Sequence, residues 1–273
     1  MIARREVLHA AALLLPGAAL AAEEPFAALE KSTGARIGVA ALDTGSGRRV
    51  AWRADEHFIP CSSFKLSLAA LVLQRADAGA EKLDRVIHYP PPTQSVSPAT
   101  RKNQATGMTV VDLCEAAVIY SDNTAANLLL EAVGGPAGVT AFWRSLGDSI
   151  SRLDDNEPAL NNPDPVRNTA TPAAMLGNLK KLLLGQVLSA QSRTRLLGWM
   201  HANTTGATTL KAGLPPDWIV GDKTGRNPGP GFVADLAIIT PPGRKPILAA
   251  VYTAKANDAV VASVGKIIAD RFA

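Results

Sequence analysis

The 273-residue chain is 47% hydrophobic, 19% charged and 5% aromatic, which supplies enough apolar residue for a sizeable core and excludes a disordered chain. Its 28 Lys and Arg against 24 Asp and Glu give a formal charge of +4, and the basic residues are scattered rather than clustered, so the electrostatic footprint of a nucleic-acid-binding protein is excluded. With no internal repeat, low-complexity tract or charged linker, the length predicts one large domain or two intimate lobes.

Residues 1–21 read as a cleaved leader: Arg4 and Arg5, the Ala/Leu stretch from Ala10 to Leu20, and small residues that predict cleavage after Ala21 or Ala22. Arg4-Arg5 followed by Glu6-Val7-Leu8 fits the bacterial twin-arginine route, although general secretory signals also carry basic residues. No other segment approaches membrane-spanning length, so no membrane anchor is expected after cleavage.

Next, Arg36–Asp43 and Arg49–Arg53 flank Thr44-Gly45-Ser46-Gly47 and read as a β-hairpin. From Ser62 to Ala78 the positions Leu66, Ala69, Ala70 and Leu73 recur at helical spacing, and Gly79 follows as a stop. Further helices are predicted over 110–118, opened by Thr109-x-x-Asp112, over 122–133 and over 137–146. Residues 150–171 are dense in Asp, Asn and Pro and predict a long functional loop. Helices resume over 172–184 and 190–201; strands follow over 218–224, 232–240 and 247–253, with a last helix from about 257. Strands at both ends around a helical middle predict an α/β fold, an antiparallel sheet flanked by terminal helices with an inserted all-α lobe. The expected division is 22–60 with 202–273 as the α/β lobe and 61–201 as the all-α lobe.

Cys61 and Cys114 are the whole cysteine inventory, and the four His are scattered, so no metal site and no cofactor are expected. Three short segments carry chemistry. Ser62-Ser63-Phe64-Lys65 places a hydroxyl and an amine one helical turn apart, so the amine can accept the hydroxyl's proton near a helix N-terminus. Alone, this is also the pattern of an ordinary helix start. Ser121-Asp122-Asn123 sits at a helix junction, and Lys223-Thr224-Gly225 ends a predicted strand.

Together and in this order, the three segments resemble those of the serine-reactive penicillin-recognising enzymes. A fourth stretch, Arg152 to Asn161 with Glu157 inside it, resembles the omega loop of class A β-lactamases, and the resemblance spans nearly the whole chain after the leader. It implies that Ser62 attacks a lactam carbonyl while Lys65 and Glu157, the latter through a water, manage the proton. Ser121 then passes a proton to the leaving nitrogen with Lys223 close by, and Asn123 holds the substrate's side-chain amide. Glu157, helped by Asn161, activates the water that hydrolyses the acyl-enzyme. The backbone N–H groups of Ser62 and Arg226 receive the oxyanion, next to Gly225, and Lys223, Thr224 and Thr205 face the substrate carboxylate. The resemblance further implies a small-molecule β-lactam substrate, a monomer, and a periplasmic enzyme of a Gram-negative bacterium that confers antibiotic resistance.

The sequence departs from the family in four places. Some members bridge the Cys before the nucleophile to one two residues beyond K-T-G, which is Asn227 here, and others bridge the Cys114 position to that of Ala69, so two free thiols are expected. Asp155 and Asn168 stand where many members carry the Arg–Asp pair that closes the omega loop, leaving a hydrogen bond in place of the charge pair. Val96 stands where an aromatic residue usually walls the site. The family's carboxylate-binding Arg has no counterpart: Thr209 fills one of its usual places and the segment Ala254–Asp258 is shortened at the other, leaving Arg226 as the candidate. Two other functions share the three segments, a low-molecular-weight D,D-peptidase and a non-hydrolysing β-lactam sensor domain. Glu157 argues against the first, and the absence of anchoring helices against the second.

Overall fold

The computed structural model describes the backbone of residues 17–273 and side chains from residue 25; most of the expected leader lies outside the described residues. Helix α1 (Gly17–Thr33) leads into strand β1 (Arg36–Asp43) and strand β2 (Arg49–Trp52). Asp43 shapes their turn by accepting the amides of Gly45 (2.8 Å) and Ser46 (3.3 Å) on Oδ1. A 3₁₀ turn at Cys61–Ser63 then opens helix α2 (Phe64–Asp77), so Ser62 belongs to the tight turn before the α-helix and not to the helix itself.

The helical middle contains short strands β3 (Val86–Ile87) and β4 (Met108–Thr109) and helices α3 (Pro98–Lys102), α4 (Val110–Ile119), α5 (Asn123–Ala132) and α6 (Gly135–Ser145). After the long loop come α7 (Pro172–Leu184), α8 (Ala190–His201) and the single turn α9 (Leu210–Gly213). The chain ends with strands β5 (Ile219–Asn227), β6 (Phe232–Thr240) and β7 (Ile247–Ala254) and helix α10 (Asp258–Phe272). Side-chain caps fix the starts of α4, α5, α7, α8 and α10: Thr109, Asp122, Thr171, Ser189 and Asn257 each accept the backbone N–H three residues on. Strand β5 runs three residues past its predicted end. Gly225, Arg226 and Asn227 resemble a turn in composition, yet they stay paired to Ala234, Val233 and Phe232 of β6.

The five long strands form one antiparallel sheet in the order β2-β1-β7-β6-β5. Alternation along the strands sends side chains to opposite faces, and both faces are buried. Ile37, Val39, Ala41, Ala249 and Val251 pack with Phe26 of α1 and with Val261, Val264, Ile268 and Phe272 of α10. Ala40, Leu42, Leu236, Leu248 and Ala250 face the helical middle. This two-sided burial explains why β1, β6 and β7 read as nearly continuous apolar runs. Helix α2 is the axis of the helical part, buried from Phe64 to Leu73 and packed on α4, α5, α6 and α8. It carries the residues just before and after its N-terminus to the edge where β5 passes. No described helix is long and apolar enough to cross a membrane. Cys61 and Cys114 are both buried and unpaired.

Candidate active site

Ser62 sits at the α2 N-terminus, one residue after Cys61, whose φ of +45° lies in the left-handed region. A non-glycine residue held there costs about 1–2 kcal/mol, and Ser121, at φ +57°, is a second such position in the same site. The chain therefore accepts backbone strain at two of the points that aim the site's hydroxyls.

Lys65 is fully buried, and its Nζ meets Ser62 Oγ at 3.0 Å, the Ser121 carbonyl at 2.8 Å and Asn123 Oδ1 at 2.5 Å. The Ser62 hydroxyl donates in turn to Glu157 Oε1 at 2.9 Å, and that same oxygen lies 3.0 Å from Lys65 Nζ. The three groups close a triangle. Direct contact between Ser62 and Glu157 departs from the sequence expectation of a water between them. Burial pushes the Glu157 carboxyl up, but the Lys65 charge and the hydrogen bonds from Lys65, Ser62 and Asn161 outweigh it and hold the group below its ordinary range. Burial also pulls the Lys65 amine below the usual lysine value, with the Glu157 charge opposing.

Glu157 reaches this position from the long loop, which is anchored at several points. Asn161 Nδ2 donates to Glu157 Oε2 at 2.6 Å, fixing the carboxylate's rotation. Asn127 of α5 clamps the backbone of Glu157, accepting its N–H and donating to its carbonyl, each at 2.9 Å. Asn227 Nδ2, at the end of β5, donates to the Asn161 carbonyl at 2.8 Å. At the loop's neck, Asn168 Nδ2 donates to Asp155 Oδ2 at 2.8 Å, the hydrogen bond expected in place of an ion pair. The charge pairing is not lost, however: Arg167 reaches Asp155 Oδ1 at 2.6 Å, from one residue earlier than the family position.

Strand β5 brings the third segment. A Cβ added to Gly225 would lie 2.6 Å from the Pro60 carbonyl, 2.9 Å from Cys61 Cβ and 2.9 Å from the Ser62 amide nitrogen; glycine is what lets the strand pass the Ser62 turn. Lys223 is fully buried, and its Nζ donates to Ser121 Oγ at 3.1 Å and to the Thr224 carbonyl at 2.8 Å. Burial and the nearby Lys65 charge pull Lys223 down to about 7, against the pull of Asp222 and Glu157. Ser121 is thereby placed between two amines, with Lys65 Nζ 3.5 Å from its Oγ.

Beyond Thr224 the site becomes a partly exposed polar shelf. Thr205 Oγ1 donates to Asn203 Oδ1 at 2.9 Å, so the hydrogen in its 2.5 Å contact with Thr224 Oγ1 comes from Thr224. Arg226 reaches the same shelf: Nη1 donates to Thr224 Oγ1 at 3.1 Å and Nη2 to the Thr205 carbonyl at 2.9 Å. Its Nε and Nη2 also form a fork on Asp258, each contact 2.8 Å. Arg226 is thus ordered at the shelf, neither free in solvent nor an unpaired cation. Thr209 is buried elsewhere, donating to Asp235 Oδ2 at 2.6 Å.

All eleven residues expected at the site are therefore brought into one connected network of contacts. Asn127, Asn227 and Asp258 hold members of that network and were not predicted to do so. Asn127 had a signal, since it lies four residues after Asn123 on α5 and hence on the same helix face. The other two were marked in the sequence only as places where a family residue is missing, Asn227 for a bridging Cys and the segment ending at Asp258 for an Arg.

The chain matches the model of the beta-lactamase enzyme family over residues 21–272. It is 47% identical over 258 residues to the beta-lactamase AST-1 of Nocardia asteroides, covering 91% of this chain and 83% of that one. It is 48% identical over 253 residues to the carbapenem-hydrolyzing beta-lactamase KPC of Klebsiella oxytoca, covering 89% and 86%. Among solved structures, an ancestral class A beta-lactamase is 53% identical and superposes with a TM-score of 0.89, covering 92% of this chain and 100% of that chain.

Proposed function

The chain belongs to the class A β-lactamase family, and from that premise we propose that it hydrolyses the β-lactam amide of penicillins and cephalosporins through an acyl-enzyme on Ser62. The observation that carries this reading is the triangle of Ser62, Lys65 and Glu157, with sides of 3.0, 2.9 and 3.0 Å. With Glu157 ionised and Lys65 donating to Ser62, the serine proton runs to Glu157 while the ammonium stabilises the forming alkoxide. The tetrahedral oxyanion is received by the backbone N–H groups of Ser62 and Arg226, which the missing Gly225 side chain allows to converge.

As the ring opens, Ser121 gives its proton to the departing nitrogen and is resupplied from the adjacent amines. Asn123 offers Oδ1 to Lys65, which leaves its Nδ2 for the carbonyl of the substrate's side-chain amide. Once Ser62 is acylated its hydrogen bond to Glu157 is gone, and the carboxylate, held by Asn161, turns to the water that cleaves the ester. Lys223, Thr224, Thr205 and Arg226 take the substrate carboxylate. No step needs a metal or cofactor. A carboxylate in contact with the nucleophile supports hydrolysis over the peptidase and sensor readings, neither of which requires one.

Residues 22–60 with 202–273 and residues 61–201 are read as two lobes, with Ser62 at their seam. The basic, Ala/Leu-rich first 21 residues support export to the periplasm of a Gram-negative cell, where the enzyme acts as a monomer and gives antibiotic resistance. The test is a chromogenic cephalosporin: repeated turnover is expected, and a single stoichiometric burst overturns the hydrolase reading. Ser62→Ala should form no covalent adduct with a penicillin, and an intact-mass adduct on that variant removes Ser62 as the nucleophile.

A further inference from the structure

The Arg226 guanidinium has five N–H donors, and four are committed: Nε and one Nη2 hydrogen to Asp258, the other Nη2 hydrogen to the Thr205 carbonyl, and one Nη1 hydrogen to Thr224 Oγ1. A single Nη1 hydrogen is left beside the Thr205–Thr224 hydroxyl pair. Asp258 is the first residue of α10, so its charge is favoured by the helix N-terminus; Thr208 Oγ1 donates to it as well. Both members of the ion pair are about one-third exposed, 30% and 32%, so an anion arriving from solvent meets the pair and not a bare cation. The hydrogen bonds from Arg226, and then from Thr208, hold the Asp258 carboxyl below its ordinary range despite partial burial.

We propose that Asp258 is a positioning and specificity-determining residue that acts through Arg226: its carboxylate holds the guanidinium against Thr205 and Thr224 while cancelling much of the charge that a substrate carboxylate would otherwise feel. The shelf then binds carboxylate-bearing lactams by hydrogen-bond geometry more than by net charge, and tolerates neutral or less acidic groups at the same place. This rests on the assignment of Arg226 to the carboxylate shelf.

The experiment compares a penicillin with its neutral ester on four purified full-length proteins: wild type, Asp258→Asn, Arg226→Thr and the double variant. Asparagine keeps an acceptor for Nε and deletes the charge. Asp258→Asn should lower KM for the acid about three- to fivefold, the range expected when a partly exposed charge is removed. The ester's KM and both kcat values should stay within about twofold. Raising the salt concentration should shrink the gain. Arg226→Thr uncovers the Asp258 charge beside the substrate, so adding Asp258→Asn to it should recover part of the loss on the acid, about threefold. A merely structural Asp258 would give a further loss there instead.

An unchanged or raised KM for the acid in Asp258→Asn, or an equal change on acid and ester, overturns the proposal. If Arg226→Thr itself fails to separate acid from ester, the shelf assignment falls and the proposal with it. If Arg226→Thr separates them and Asp258→Asn does not, only the role of Asp258 is lost. Asp258→Ser carries the same comparison should the amide variant fold poorly.

Discussion

The two ends of the site handle charge in opposite ways. Around Ser62, Lys65 and Glu157 the charged groups are fully buried, touch one another, and have their remaining polar atoms bound by Ser121, Asn123 and Asn161. At the shelf formed by Thr205, Thr224 and Arg226, an ion pair remains in contact with solvent. In the first region the groups are oriented before substrate arrives, and removing one leaves another buried and uncompensated. In the second, water and Asp258 already screen the charge. Chemistry should therefore depend steeply on the buried end and selectivity mildly on the exposed end.

The largest expected effect tests the buried end directly. Glu157→Ala should still be acylated by a penicillin, more slowly, and should then accumulate a long-lived acyl-enzyme. Loss of a general base costs about 10²- to 10⁴-fold, and the adduct should be visible by intact mass during turnover. Wild-type turnover with no adduct would place the deacylating base elsewhere. A step smaller, Gly225→Ala pushes β5 off the Ser62 turn, since the added Cβ meets the Pro60 carbonyl at 2.6 Å. Loss of one oxyanion donor is worth about 10²- to 10³-fold in kcat, so a drop of that order is expected, with the fold checked by circular dichroism. A variant retaining near-wild-type kcat would mean that the strand's approach does not build the oxyanion site.

How much of this was readable beforehand follows the same division. Ser62, its amine partner Lys65 and the Ser121 and Lys223 segments are local patterns, each complete within three or four residues, so their identity survives without a structure. The clamps are not local. Asn127 meets Glu157 across 30 residues, Arg226 meets Asp258 across 32, and Asn227 meets Asn161 across 66. Only the packed fold creates those contacts. The same reason explains the end of β5, where pairing to β6 overrides the turn-like composition of Gly225-Arg226-Asn227. Helix α1 had no predicted bounds because its apolar start runs on from the leader's Ala/Leu stretch, which hides any amphipathic period. Arg167 replaced a family charge from a neighbouring position, a compensation that motif matching at fixed positions does not see.

Arg226→Thr probes the exposed end. Threonine keeps the backbone N–H for the oxyanion and deletes the guanidinium, so kcat/KM for a penicillin should fall about tenfold, as a loss of ~1.4 kcal/mol implies. The neutral ester should lose much less. Equal losses on acid and ester would show that the damage reaches the buried end, and no loss on either would leave the carboxylate to Lys223, Thr224 and Thr205 alone.

The smallest effect concerns Lys223, which belongs to both regions: its amine is buried with Ser121, and it also donates to the carbonyl of Thr224 at the shelf. With a pKa near 7, the group carries its charge below that value and loses it as pH rises. Binding of a substrate carboxylate should therefore weaken on the alkaline side. The ratio of kcat/KM for acid over ester cancels pH effects common to both substrates, such as titration of the Ser62 triangle. Between pH 6 and pH 8 the charged fraction of a group with this pKa falls from about 0.9 to about 0.1. Arg226 and the two threonine hydroxyls remain, so the ratio should drop only about three- to fivefold. The Arg226 charge is one of the influences lowering the Lys223 pKa, so the midpoint of that drop should move to higher pH in Arg226→Thr. A ratio that stays flat from pH 6 to pH 9 would mean that Lys223 keeps one protonation state throughout, and that its buried contacts with Ser121 and Thr224 decide its charge more strongly than the shelf does.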